Sequence, residues 1–252
     1  MTFSTQFSPT YINEQVAHAL KISSSQVETL LSQEKFTRQD LPALLSPAAT
    51  PYIEKMATLS HNLTTQRFGK TMQLFIPLYL ANVCYNSCSY CSFSMENDYE
   101  RITLTPEEIL NEALMLKKKG FQHLLLLTGE ADHSSVQYII DAIRQLHPQF
   151  ASIGIEVQPL SEDDYRSTIA AGADSLTVYQ ETYHPEAYKT YHTRGKKSNF
   201  TYRLDTPDRA GKAGFYKMNL GALMGLYDWR YEALALADHL HYLMKTYWQC
   251  KY

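Results

Sequence analysis

The chain has 252 residues, 44% hydrophobic and 12% aromatic, with a formal net charge of -3. This length and apolar content fit a single domain with a substantial core and exclude a disordered chain. The near-neutral balance argues against a nucleic-acid partner, the short basic runs at Lys117–Lys119 and Lys196–Lys197 being read as solvated surface; no run approaches the roughly 18 apolar residues of a membrane helix.

The start, Met1-Thr2-Phe3-Ser4-Thr5, lacks a basic segment followed by an apolar one, so a cytoplasmic protein is expected. Residues 1–70 read as an N-terminal helical extension. Helical stretches are expected at Val27 to Ser32, at Leu41 to Leu45 after Thr37-Arg38-Gln39-Asp40, and at Pro51 to Arg67. In the last of these, Ile53, Met56, Leu59 and Leu63 recur at amphipathic spacing. Residues 71–252 then change to short apolar runs alternating with helices, the pattern of βα units around a parallel sheet. Strands are expected at Leu74 to Leu80, His123 to Thr128, Ile153 to Val157, Ser175 to Tyr179 and Lys217 to Ala222. Thr105-Pro106-Glu107-Glu108 supplies a cap, an N1 proline and a capping-box glutamate for a helix running to about Lys119. By the same chemistry Thr206-Pro207-Asp208 is expected to open a helix closed at Gly214, and Asp228 to cap one from Trp229 to Tyr247.

Three of the four cysteines, Cys84, Cys88 and Cys91, fall in one C-x3-C-x2-C loop. Three thiolates on a short loop can hold three irons of a [4Fe-4S] cube and leave the fourth open. A structural zinc site would want a fourth close ligand, yet Cys250 is distant and His61 and His123 are the nearest histidines. In a reducing compartment such clustered cysteines read as metal ligands and Cys250 as an ordinary side chain.

The loop, with Tyr90 just before its third cysteine, resembles the signature of radical S-adenosylmethionine (SAM) enzymes. More narrowly, Pro77-Leu78-Tyr79-Leu80, Cys91-Ser92-Phe93-Ser94-Met95, Leu127-Thr128-Gly129-Glu130, Val157-Gln158-Pro159-Leu160 and Val178-Tyr179-Gln180-Glu181-Thr182-Tyr183-His184 resemble the 2-iminoacetate synthase family, the tyrosine lyases of thiamine thiazole biosynthesis. The resemblance implies an α/β fold, a TIM-type (β/α) barrel, here partial after about five βα units and preceded by the helical extension. It implies a [4Fe-4S] cluster and SAM as cofactors, L-tyrosine as substrate, thiazole synthase as protein partner, and an electron donor such as flavodoxin or ferredoxin. The implied reaction begins with reductive cleavage of SAM to a 5'-deoxyadenosyl radical, which takes hydrogen from the tyrosine amino group. Cα–Cβ scission then gives 2-iminoacetate and p-cresol.

Functional groups of βα folds gather at the C-terminal ends of strands, where all these motifs fall. By resemblance, Gly129 and Glu130 meet the SAM ammonium and Gln180 and Glu181 the ribose. Arg203 matches an arginine that pairs with the SAM carboxylate, though a surface salt bridge is an equal reading. Gly221 and Gly225 resemble a glycine-rich strand flanking adenine. Tyr90 and Phe93 are placed to pack on adenine or to exclude water from the cluster, and Glu156 and Gln158 to contact a ligand or to serve as a structural pair. No residue is assigned a catalytic role. The segment that family members use for the tyrosine carboxylate on a late strand has no counterpart before Tyr252, so the tyrosine site is expected to be incomplete and the chain a truncated form. A non-catalytic metal-binding partner of thiazole synthase and another radical SAM lyase, such as the [FeFe]-hydrogenase maturation type, stand as alternatives.

Overall fold

The computed structural model describes residues 1–33 and 35–252. Helices α1 (Pro9–Ala19), α2 (Ser24–Leu31), α3 (Leu41–Leu44) and α4 (Ile53–Phe68) precede the first strand. Ser8 caps α1 with Pro9 behind it, and Ser23 and Gln26 close a capping box on α2. Helix α1 was outside the sequence reading, although Ser8-Pro9 is a start signal. The apolar stripe of α4 is only half used: Met56 and Leu59 rest against Val27, Leu31 and Ala49, whereas Ile53 and Leu63 are 53% and 57% exposed.

The chain then runs through β1 (Ile76–Ala81), β2 (Ser87–Cys88), α5 (Pro106–Lys118), β3 (His123–Thr128), α6 (Val136–Leu146), β4 (Ser152–Glu156), α7 (Glu162–Ala171) and β5 (Ser175–Glu181). It continues through α8 (Pro185–Tyr191), β6 (His192–Arg194), α9 (Phe200–Leu204), α10 (Thr206–Ala213), β7 (Lys217–Ala222) and α11 (Trp229–Thr246). Five strands, β1-β3-β4-β5-β7, pair in parallel in chain order, with helices in the crossovers. This is part of a TIM-type barrel.

Strand alternation divides the sheet into two unlike faces. Leu78, Leu80, Leu124, Leu126, Ile153, Ile155, Leu176 and Val178 are buried in a core shared with Ile109, Ile139, Ile143 and Tyr165 of the helices. The alternate positions Tyr79, Leu127, Glu156 and Tyr179 stand on the concave face and remain more accessible.

Helix α5 carries the expected Thr105–Glu108 capping box, and Asp228 caps α11. The cap of α10 differs. Its N-cap is Asp205, not Thr206, and the Asp205 carboxylate accepts from Thr2 Oγ1 and from the Ser4 N–H and hydroxyl instead of from its own helix. Gly214 ends α10 at φ 102°. Asp208, fully buried, accepts from the Phe3 N–H at 2.9 Å and from the Tyr242 and Tyr247 hydroxyls at 2.6 and 2.9 Å. The Phe3 ring stacks on His239 at 4.0 Å and shares a core with Tyr183, Leu204 and Tyr231. Cys250 is buried, its thiol donating to the Phe215 carbonyl, and Lys251 bridges in parallel to Lys217.

Asp208→Ala leaves three donors without their acceptor in a buried site. It is expected to cost about 3 kcal/mol or more and to lower the melting temperature by roughly 5–10 °C, measured by urea and thermal unfolding.

Candidate cofactor cleft

The loop after β1 carries the three cysteines, and polar contacts rather than regular structure fix its path. Arg101 is its internal tie: its guanidinium donates to the carbonyls of Asn82, Phe93, Ser94 and Asn97. The two-residue β2 pairs antiparallel with β6, setting Cys88 against His192. The Tyr85 N–H donates to the Glu130 carbonyl at 2.9 Å, tying the loop to the end of β3. Gly129 makes this crossing possible, since a Cβ there would lie 2.2 Å from the Val83 carbonyl oxygen.

Cys84, Cys88 and Cys91 are free thiols, and all three line a cleft of about 560 Å³ on the concave side of the sheet. Tyr90, Phe93, Gly129, Glu130, Glu181 and Arg203 line the same cleft, as do Glu156 and Gln158. Among the described residues, no three His, Cys, Asp or Glu side chains are gathered so as to hold a single metal ion.

Three expected residues stand apart. Gln180 is one residue out of phase with Glu181 on β5, so its side chain lies on the helix-facing side of the sheet, in a narrow void with Val178, Leu220 and His239. Among the described residues, its amide nitrogen has no hydrogen-bond partner. Gly221 pairs with Tyr179 and leaves room for that ring, 2.8 Å from where a Cβ would stand; it does not line the cleft. Gly225 is a turn residue at φ 105°.

The cleft's charges centre on Glu181. A register shift between Tyr179 and Glu181 precedes the last pair of the ladder with β7, Glu181 with Ala222, and Glu181 takes φ 71°, a left-handed conformation costly for a side-chain residue. Its carboxylate meets Lys197 Nζ at 2.7 Å and Arg203 at 3.6 Å, while Arg203 Nε also donates to the Tyr179 carbonyl at 2.7 Å. Burial alone would raise the Glu181 pKa, but the two cations and the Lys197 hydrogen bond outweigh it and hold the carboxyl below its ordinary value of 4.5. Glu156 goes the other way, its pKa raised by burial and then by the Glu181 charge.

Tyr90 donates to His192 Nε2 at 2.7 Å, and His192 Nδ1 faces the Tyr188 carbonyl at 2.8 Å. A carbonyl only accepts, so the proton sits on Nδ1. Burial first, and Lys197 next, push the His192 pKa down to about 4, which keeps the ring neutral. Burial pushes the Cys88 thiol up to about 11, partly opposed by Lys197.

Lys197 corrects the sequence reading. Half of a dibasic pair taken as solvated surface, it turns inward, its side chain 15% exposed, with its ammonium 5.5 Å from the Tyr90 ring centre. Asn86 and Arg101 were also missed. Asn86 lies inside the cysteine motif, at a position where motif spacing specifies no residue type.

The radical SAM superfamily profile matches residues 78–239. The chain belongs to the radical SAM superfamily. It is 45% identical over 232 residues to the 2-iminoacetate synthase of Escherichia coli K12, a match covering 91% of this chain and 62% of that protein. The chain thus spans less than two thirds of that relative's length. Among solved structures it is similar to the [FeFe]-hydrogenase maturase HydG, with TM-score 0.88 and 27% identity over 94% of this chain and 55% of that one. It also shares its fold with methylornithine synthase PylB, at TM-score 0.69 and 23% identity over 83% of this chain and 62% of that one. Radical SAM proteins use a [4Fe-4S] cluster and SAM, and the donor set of the cleft fits both. Three unpaired thiols share one loop, and carboxylate and guanidinium groups stand across from them.

Two outcomes follow. Gly129→Ala is expected to displace the cysteine loop and to abolish iron loading while secondary structure, followed by circular dichroism, persists. Because the Glu181 pKa is depressed on folding, its stabilising contribution is present above its unfolded value and is lost as pH falls through the folded one. Glu181→Gln is therefore expected to lower stability by about 3 kcal/mol near neutrality. It should also flatten the fall in stability below about pH 4.5, read from urea midpoints against pH.

Proposed function

We propose that this chain carries the cluster and SAM site of a tyrosine lyase of the 2-iminoacetate synthase type. The observation that carries this reading is one cleft, at the C-terminal ends of the strands, lined together by Cys84, Cys88, Cys91, Glu130, Glu181 and Arg203. The 45% identity to 2-iminoacetate synthase over most of the chain supports it.

The three cysteines would hold the cluster through deprotonated thiolates, so loading it releases protons from thiols such as Cys88. The Glu130 carboxylate is an acceptor suited to the SAM ammonium, and one of its oxygens is already fixed by Asn86 Nδ2 at 2.7 Å. Arg203 and Lys197 would face the SAM carboxylate, sharing their charge with Glu181. Glu181 and Glu156 offer carboxylate acceptors for ribose hydroxyls. Tyr90, pinned by His192, and Phe93, edge-on to Tyr79 at 5.8 Å, form apolar walls that exclude water. When bound, the cluster and SAM together supply radical hydrogen abstraction; the protein's share is positioning and shielding.

On this reading L-tyrosine is the substrate, and 2-iminoacetate and p-cresol are the products. Thiazole synthase is the receiving partner, and a flavodoxin or ferredoxin supplies electrons in the cytoplasm. Likeness to HydG favours one second reading, a radical SAM lyase of the hydrogenase-maturation type acting on an aromatic amino acid.

Anaerobic reconstitution is expected to give about four irons and four sulfides per chain, with Cys88→Ala losing the signal. Glu130→Ala is expected to weaken SAM binding by about 1.5 to 3 kcal/mol in calorimetry. Turnover with tyrosine, SAM and reductant tests the reaction by its p-cresol and 5'-deoxyadenosine. SAM cleavage stimulated by another amino acid, with none by tyrosine, would exclude the tyrosine assignment.

A further inference from the structure

Asn86 is 3% exposed and stands two residues beyond Cys84. Its Oδ1 accepts from the Lys197 backbone N–H at 2.9 Å, which leaves the amide nitrogen facing Glu130 Oε2 at 2.7 Å and Cys84 Sγ at 3.6 Å. An amide nitrogen has two hydrogens and a carboxylate none, so these partners decide which way the group is turned. The Asn86 carbonyl accepts from the Met95 N–H at 3.0 Å, closing the cysteine loop over it. Gly195, at φ 86°, leaves space for the side chain: a Cβ there would come within 2.1 Å of Oδ1.

We propose that Asn86 is a positioning residue that holds the Cys84 sulfur and the Glu130 carboxylate through one amide, an inference that rests on reading the cleft as a cluster and SAM site. A hydrogen bond to a ligating sulfur withdraws charge from it and raises a cluster's reduction potential. The same amide occupies one Glu130 oxygen and leaves the other to accept an ammonium. Asn86 thus couples the redox poise of the cluster to the orientation of the SAM acceptor.

Two variants separate this role from a purely structural one. Asn86→Asp keeps the acceptor for the Lys197 N–H but replaces the donor with a second carboxylate, and Asn86→Ala removes both. Each is reconstituted anaerobically, its cluster potential measured by EPR-monitored titration and its SAM affinity by calorimetry. Both are expected to load iron, to show a lower reduction potential than the wild-type chain, and to bind SAM about tenfold or more weakly. Asn86→Ala combined with Glu130→Ala is expected to bind SAM no more weakly than Glu130→Ala alone, since the asparagine acts through that glutamate. An unchanged potential, additive losses in the double variant, or loss of iron loading in both variants would overturn the proposal. A wild-type chain that forms no cluster would overturn the cluster assignment itself and this inference with it, an outcome distinct from the other three.

Discussion

The Glu181 carboxylate, ionised at the end of β5 between Lys197 and Arg203, is the interaction on which the cleft depends. It joins a strand of the barrel sheet to the polar turn at residues 195–197 and to the short α9, whose Leu204 and Phe200 pack in the core around Phe3. Through Lys197 the tie reaches Asn86 and so the cysteine loop. Burying one carboxylate without its cations would cost several kcal/mol, so the charge fixes the turn at 195–197 and adds to the apolar packing that seats α9. The left-handed backbone at Glu181 is the local strain that this arrangement sustains.

The contrast between the two faces of the sheet explains why the site lies where it does. The helix-facing side is filled by aliphatic side chains, whereas the concave side has aromatic, carboxylate and glycine positions with space between them. Parallel strands all end at the same rim, so loops after β1, β3, β4 and β5 deliver their polar residues to a common volume. Close approach there relies on Gly129, where the crossing of the cysteine loop leaves no room for a methyl group.

Much of this was legible in the sequence because it is periodic or locally capped. The five strands, the Thr105 capping box and the cysteine loop each announce themselves within a few residues. Long-range pairing was not legible. Asp205 reads as an ordinary residue before a helix, yet it serves Thr2 and Ser4 from 201 or more positions away. Lys197 reads as surface charge, and only the fold supplies the buried carboxylate that turns it inward. Gln180 and Glu181 read as a pair, but strand alternation sends adjacent side chains to opposite faces, so only Glu181 reaches the cleft. Residue type and motif order carried the chemistry of the site; its second layer of asparagine, arginine and lysine contacts depended on geometry.

The clasp between Phe3 and Asp208 also has a consequence in time. The partners are separated by 205 positions, so during synthesis Phe3 has neither its hydrogen-bond acceptor nor its stacking partner until α10 and α11 have emerged. Phe3 must therefore stay in solvent, or rest on a chaperone, until those helices are made. Closing so long a loop makes docking of this segment a late event, coupled to completion of α10 and α11. A nascent chain released before α11 forms would leave the Phe3 ring without its stacking partner, an unsheltered aromatic surface open to quality control.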